Sequence, residues 1–199
     1  MQVAGGVALA ALIVVVGALV YLHVAPTGLS PVRNAVSHYG ITKFRMGYRV
    51  ATLAFAVSGL ALAVAISRAT NGHATGPILL LVVFGAARGL ISWYPMDAPG
   101  SLRTGTGAIH GLLALAAFGG VTIAALRIPH ALTDQRMLHG LATTSKVLGF
   151  VMLILLICMG LSRSYPALGK RFGLVERGFY LAAIVWFAVF SIGCIARVH

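Results

Sequence analysis

Residues 76–126 read GPILLLVVFGAARGLISWYPMDAPGSLRTGTGAIHGLLALAAFGGVTIAAL, and this stretch decides the fold. Two apolar runs, Gly76 to Tyr94 and Gly107 to Leu126, each have the length an α-helix needs to cross roughly 30 Å of hydrocarbon. Between them Pro95, Pro99 and Gly100 break the chain, so the second run must fold back beside the first. Runs of the same character occur at Val3 to Val24, Gly47 to Ser67, Ser145 to Leu161 and Arg177 to Ile195. Backbone amides in a bilayer must be paired within their own segment, so each run is a helix. The expectation is an all-α, polytopic membrane protein, six transmembrane helices in a single bundle forming one domain over residues 1–199.

Composition agrees. Hydrophobic residues make up 59% of the chain and charged residues 9%, whereas soluble domains are about half apolar and a quarter charged. The formal net charge of +12 would suit nucleic acid, but the cations are dispersed among short loops with no basic run. No nucleic-acid partner is expected, and the cations read as topology signals and contacts to anionic lipid. Cys158 and Cys194 each lie inside an apolar run, as small buried hydrophobes rather than a disulfide or metal framework. The first run lacks a positively charged flank and is too long for a signal peptide, so it counts as a span.

Six spans place both termini on one side, here face B, and the first, third and fifth loops on the other, face A. Arg33, Lys43, Arg45, Arg49, Arg103, Arg163, Lys170, Arg171 and Arg177 fall toward face A; Arg68, Arg127, Arg136, Lys146 and Arg197 fall toward face B. The positive-inside rule then puts face A in the cytoplasm. His23, His38 and His110 also fall toward face A, with Asp97 and Glu176, whereas His73, His130, His139 and His199 fall toward face B.

Face A is therefore where chemistry is expected. Asp97 is one of only three carboxylates in the chain, and an acid at the end of a membrane helix needs a partner, a ligand or a proton to carry. Arg88, six residues before Tyr94, can snorkel to the interface or pair with Asp97 or Glu176. Glu176 at the start of the last span suits a first helical turn, where the helix dipole favours a carboxylate. The spacings Gly85 to Gly89 and Gly107 to Gly111 suggest close approach of the third and fourth spans, with Arg88 and His110 flanking the contact.

Three readings follow from these residues. Arg88, Arg103, Arg33, Arg45 and Arg49, with Tyr39, Tyr48, Trp93 and Tyr94 at the boundary and Glu176 nearby, suit a lipid or amphiphile with an anionic head. His23, His38, His110 and Asp97 contain the ligand types of a catalytic zinc, although no HExxH motif or i, i+4 histidine pair is present. That reading makes the protein a metal-dependent membrane hydrolase centred on Asp97 and His110. Ser37, His110 and Asp97 also contain the members of a serine triad, without a GxSxG elbow. The third reading is an accessory subunit of a membrane complex, or a homo-oligomer, whose polar residues serve packing. No motif names a cofactor, and the histidines near helix ends do not suit haem.

The segments Pro26-Thr27-Gly28-Leu29-Ser30-Pro31-Val32-Arg33, Val36-Ser37-His38-Tyr39-Gly40, Tyr94-Pro95-Met96-Asp97-Ala98-Pro99-Gly100, Gly107-Ala108-Ile109-His110-Gly111 and Gly173-Leu174-Val175-Glu176-Arg177 together resemble a bacterial six-helix membrane family. It is known only as domain-of-unknown-function family nine-nine-eight. The family pattern has aspartate where this chain has His38, and often phenylalanine and threonine in place of Tyr94 and Met96. The resemblance implies a six-helix fold in a bacterial plasma membrane and no established activity. A looser similarity is to ceramidase-like membrane hydrolases, for which Ser37, His38, Asp97 and His110 are the compatible residues.

Overall fold

The computed structural model describes residues 1–132, 139–162 and 164–196. Asp134, Arg136, Arg163, Arg197 and His199 lie outside the described residues, as does the side chain of His139.

Six long helices are present: α1 (Gln2–Val24), α2 (Arg45–Ala69), α3 (Thr75–Leu90), α4 (Gly105–Ala131), α5 (His139–Leu161) and α7 (Phe172–Ala196). A one-turn helix, α6 (Pro166–Gly169), precedes the last, and short 3-10 turns occupy Val36–Ile41 and Ile91–Trp93. Each of the six, α3 counted with its 3-10 extension, is long and apolar enough to cross a membrane. The protein is an all-helical, multi-pass bundle. The six expected spans all appear, and the last begins earlier than Arg177, at Phe172.

The long helices pack in chain order around a ring, α1 against α2, α2 against α3, onward to α5, with α7 closing between α5 and α1. Short loops force antiparallel neighbours, and α2 also touches α7 across the middle. Apolar side chains such as Ile13, Leu79, Leu112, Ile154 and Leu181 are exposed on the outside, where lipid replaces water as the surrounding solvent.

Helix association in lipid lacks the hydrophobic drive available in water, so close packing and interhelical hydrogen bonds hold the ring. Ser58 Oγ donates to the Ala8 carbonyl at 2.9 Å, joining α2 to α1. Trp186 Nε1 donates to Ser145 Oγ at 2.8 Å, and that hydroxyl donates on to the Ala125 carbonyl at 2.7 Å, joining α7, α5 and α4. The glycine stripe of α3 has a different partner from the one expected. A Cβ on Gly85 would meet Leu60 Cγ at 2.7 Å and the Ala56 carbonyl at 3.3 Å, so Gly85 serves the α2–α3 contact. The α3–α4 approach lies deeper, at Gly120, where a Cβ would stand 3.1 Å from the Leu80 carbonyl.

At mid-bundle Phe55, Phe84 and Phe187 meet ring to ring at 5.0–5.2 Å. On the face A side of this cluster the helices do not close, and the candidate site lies there.

Candidate functional site

Arg88 sits one turn beyond Phe84 on α3, so the helix that carries the aromatic cluster also aims a guanidinium at the space above it. The side chain is 2% exposed. Its guanidinium carbon lies 5.6 Å from the Phe55 ring centre and 5.3 Å from that of Tyr180, a cation–π seat between α2 and α7. The Tyr180 hydroxyl is within bonding reach, with Tyr48 and the Glu176 carboxylate nearby. Arg88 Nε is nevertheless buried without a hydrogen-bond partner. The expected Arg88–Asp97 lock is not formed, because Asp97 is engaged elsewhere.

Glu176 is the fifth residue of α7 and is 4% exposed. It is therefore not in the first turn, and the helix dipole does not account for it. Its Oε2 instead accepts from the Val36 backbone N–H at 2.6 Å, pinning the first loop over the bundle. His110, on α4, makes a 2.8 Å contact from Nδ1 to the Tyr94 carbonyl. A carbonyl only accepts, so Nδ1 carries the hydrogen of this bond.

These groups share a cavity of ≈ 440 Å³, within the range of small-ligand sites. Arg88, Glu176, His110, Tyr48 and Tyr180 form its polar side. Ala114, Leu115, Phe118, Leu156 and Met159, from α4 and α5, form its apolar side. The first loop roofs it with Arg33, Ser37 and His38. Ser37 Oγ donates to Met96 Sδ at 3.0 Å. Neither His38 ring nitrogen completes a hydrogen bond, and desolvation, partly opposed by the Ala35 carbonyl, holds His38 below the ordinary histidine value.

A family model described as "Protein of unknown function (DUF998)" matches residues 7–193. The chain belongs to this family. It matches no curated protein and no solved structure. Membership in DUF998 names no activity and leaves the chemistry to be read from the site itself.

Several of the site residues expected from sequence stand apart from the cavity of this DUF998 protein. Asp97 accepts from Thr104 through both its backbone N–H, at 3.2 Å, and its hydroxyl, at 2.7 Å. Thr104 Oγ in turn accepts from Gly107 N–H at 3.0 Å and caps α4. The two Thr104 bonds hold the Asp97 carboxyl below the usual carboxylate range. A Cβ on Gly107 would collide with that carboxylate, so this glycine makes room for a cap rather than for another helix. Arg103 is exposed beside Asp97 on a surface depression that adjoins the cavity at Gly111 and Leu115. Arg45 is exposed, and Arg49 stacks over the Trp93 ring at 4.9 Å.

Tyr39 lies outside the cavity too, in a cluster that sequence reading missed. Arg177 Nε donates to His23 Nε2 at 2.6 Å, Nη1 donates to the carbonyls of Pro31 and Asn34 at 2.7 and 2.8 Å, and Nη2 donates to Tyr39 Oη at 3.2 Å. With His23 held in this way, the set of His23, His38, His110 and Asp97 is not assembled. Among the described residues no three of His, Cys, Asp and Glu are placed to hold a metal. The Ser37, His110, Asp97 triad is likewise not formed, since Ser37 bonds Met96, His110 Nδ1 faces Tyr94 and Asp97 faces Thr104. Tyr180 had one readable signal, its i+4 spacing from Glu176, which puts both on one face of α7.

Proposed function

We propose that the protein binds an amphiphile with an anionic head, a carboxylate or a phosphate, in the face A cavity, with Arg88 holding the head. The observation that carries this reading is Arg88 itself, a guanidinium inside a membrane span whose Nε has no partner. Isolating a cation from water costs several kcal/mol unless an anion or a hydrogen-bond set compensates. Cation–π contacts and Tyr180 compensate in part, and a planar fork matched to a carboxylate or phosphate would complete the set. Arg33 adds positive charge at the loop-side mouth, and the α4–α5 wall offers apolar surface for the first carbons of a chain.

On this reading the partners are membrane lipids, and the host membrane is a bacterial plasma membrane with the cavity facing the cytoplasmic leaflet. The accessory-subunit alternative expects no enclosed polar cavity, so the cavity favours binding. The test is mass spectrometry of extracts from purified wild type, Arg88→Gln and Arg88→Ala. Wild type should carry an anionic amphiphile near stoichiometric amount. Loss of a charge-assisted pair worth about 1.5–3 kcal/mol should lower its affinity roughly 10- to 100-fold in both variants. Equal amounts of the same amphiphile in folded Arg88→Ala would sink the proposal.

A further inference from the structure

Toward face B the pair α4 and α5 is tight. Ser145 bonds the Ala125 carbonyl, and a Cβ on Gly149 would meet Leu126 Cδ2 at 2.8 Å. Toward face A the glycines of the same two helices have no such neighbours. A Cβ added to Gly111 of α4 or Gly160 of α5 would meet nothing within 4 Å. Both glycines line the cavity, and both are exposed on the outer surface of the bundle. Leu115, one turn along from Gly111, also lines the cavity and is 63% exposed. Residues that border an interior cavity and the outer surface at once mark an opening between them.

Depth matches. Gly111 lies six residues into α4, about 9 Å of rise, and Arg88 five residues before Trp93, about 7.5 Å. Gly160 lies one residue before the end of α5, about 1.5 Å, so the gap runs from the face A edge of the bundle down to the level of the buried guanidinium. The charged groups of the cavity, Arg88 and Glu176, come from α3 and α7, while α4 and α5 beside the gap contribute Ala114, Leu115, Leu156 and Met159, with His110 the polar residue on that wall.

We infer that the gap between α4 and α5 is a lateral portal through which a chain-bearing amphiphile passes from the face A leaflet into the cavity. Its anionic head goes inward to Arg88 and its chain stays in the gap. This rests on the amphiphile reading above and adds the route, the leaflet and the ligand's orientation. A free anion in water would use the loop-side mouth at Arg33 and would need neither the apolar wall nor the gap.

The experiment compares wild type, the double variant Gly111→Phe/Gly160→Phe, and Gly17→Phe, which fills an equally open, exposed position on α1. Thermal unfolding of the full chain is followed against dodecyl phosphate, butyl phosphate and inorganic phosphate. Dodecyl phosphate should stabilise wild type and Gly17→Phe saturably, and the double variant should need at least ~10-fold more of it, since the bulky rings displace the chain from the gap (~1.4 kcal/mol per tenfold). Butyl phosphate, whose chain is too short to reach through the gap, should act alike on wild type and Gly17→Phe and should be weakened in the double variant by a clearly smaller factor than dodecyl phosphate.

Unchanged dodecyl phosphate response in the double variant overturns the portal and leaves the amphiphile reading standing. Inorganic phosphate as effective as dodecyl phosphate on wild type assigns the site to a free anion and overturns the portal. No response of wild type to any probe removes the amphiphile reading and the portal with it. If the double variant loses butyl phosphate as well, Gly111→Leu/Gly160→Leu decides by the same readout.

Discussion

Arg177→Met should release the first loop from the bundle. The guanidinium ties four places to the start of α7: His23 at the end of α1, the Pro31 and Asn34 carbonyls in the loop, and Tyr39 in the 3-10 turn. A fifth bond, to the Gly173 carbonyl, stays within its own helix. Gly173 has no room for a Cβ beside the Pro31 and Asn34 carbonyls, which shows how closely the loop is drawn onto α7. Charge-assisted bonds run at about 1.5–3 kcal/mol, but this group is partly solvated, and about 1 kcal/mol for each of the His23, Pro31 and Asn34 bonds is a fairer figure. The total is about 3 kcal/mol. Arg177→Lys keeps the charge without the planar fork and should recover only part of it.

Two assays read this change. Thermal unfolding in detergent should fall by several degrees in Arg177→Met and by less in Arg177→Lys. Backbone amides of residues 31–41 should exchange faster in both, while those of the α2, α3 and α7 core hold. Since Arg33, Ser37 and His38 roof the cavity, any ligand response should weaken in parallel. Unchanged melting together with unchanged exchange in residues 31–41 would refute the lock.

Other perturbations separate packing from chemistry. Ser145→Ala leaves the buried Trp186 Nε1–H without its acceptor and should cost about 1–3 kcal/mol, measured by unfolding; a neutral result would mean that the indole finds another partner. Gly107→Ala should destabilise α4 because its Cβ collides with the Asp97 carboxylate, while Gly111→Ala should be neutral or better, so equal melting of the two would be the contrary result. Adding Asp97→Ala to Gly107→Ala removes the collision, and the double variant should melt above the sum of the singles. The depressed Asp97 pKa sets the sign of a pH effect: its contribution is present above the unfolded value, 3.8, and is lost as pH falls through the lower folded one. Asp97→Asn should abolish that acid-limb contribution, and identical acid limbs of the two melting profiles would count against the Thr104 bonds.

Six spans could be read from the chain because run length against hydrocarbon thickness is a property of composition alone. Which face of each helix points inward could not, because helices apolar all round carry little amphipathic signal. That is why Arg88 and His110 stood out as rare polar residues inside apolar runs while Tyr48 and Tyr180, also in the cavity, did not. Tyrosine near a membrane boundary reads first as an anchor. Arg177 was counted as a topology signal, since its partners, His23, Tyr39 and two carbonyls of the first loop, are brought to it by a loop that no pattern places. The glycine spacings were real, but a stripe does not name its partner: Gly85 met α2, Gly107 met a carboxylate, and Gly111 met an open gap. Asp97, singled out by scarcity, caps α4 from outside the cavity, because scarcity marks a residue that needs a partner without saying that the partner is a ligand.

The cavity is closed on one side, which bears on what the protein can do with a bound amphiphile. The Arg88 guanidinium carbon lies 5.6 Å from the Phe55 ring centre, Phe55 packs with Phe84 and Phe187, and Trp186 and Phe190 continue the stack at 5.3 and 4.7 Å. Trp186 and Phe187 are fully buried, and Leu62, Leu81 and Ile128 fill the surrounding axis. An anionic head leaving Arg88 toward face B would meet apolar side chains and a few buried hydroxyls such as Ser58, Ser145 and Ser191, with no second buried Lys or Arg among the described residues, and would lose its pairing at a cost of several kcal/mol. Movement across the bilayer would therefore require the α2, α3 and α7 rings to part. On the proposed amphiphile reading, the packing suits handling within one leaflet: head under the first loop, chain between α4 and α5, and release by the route of arrival.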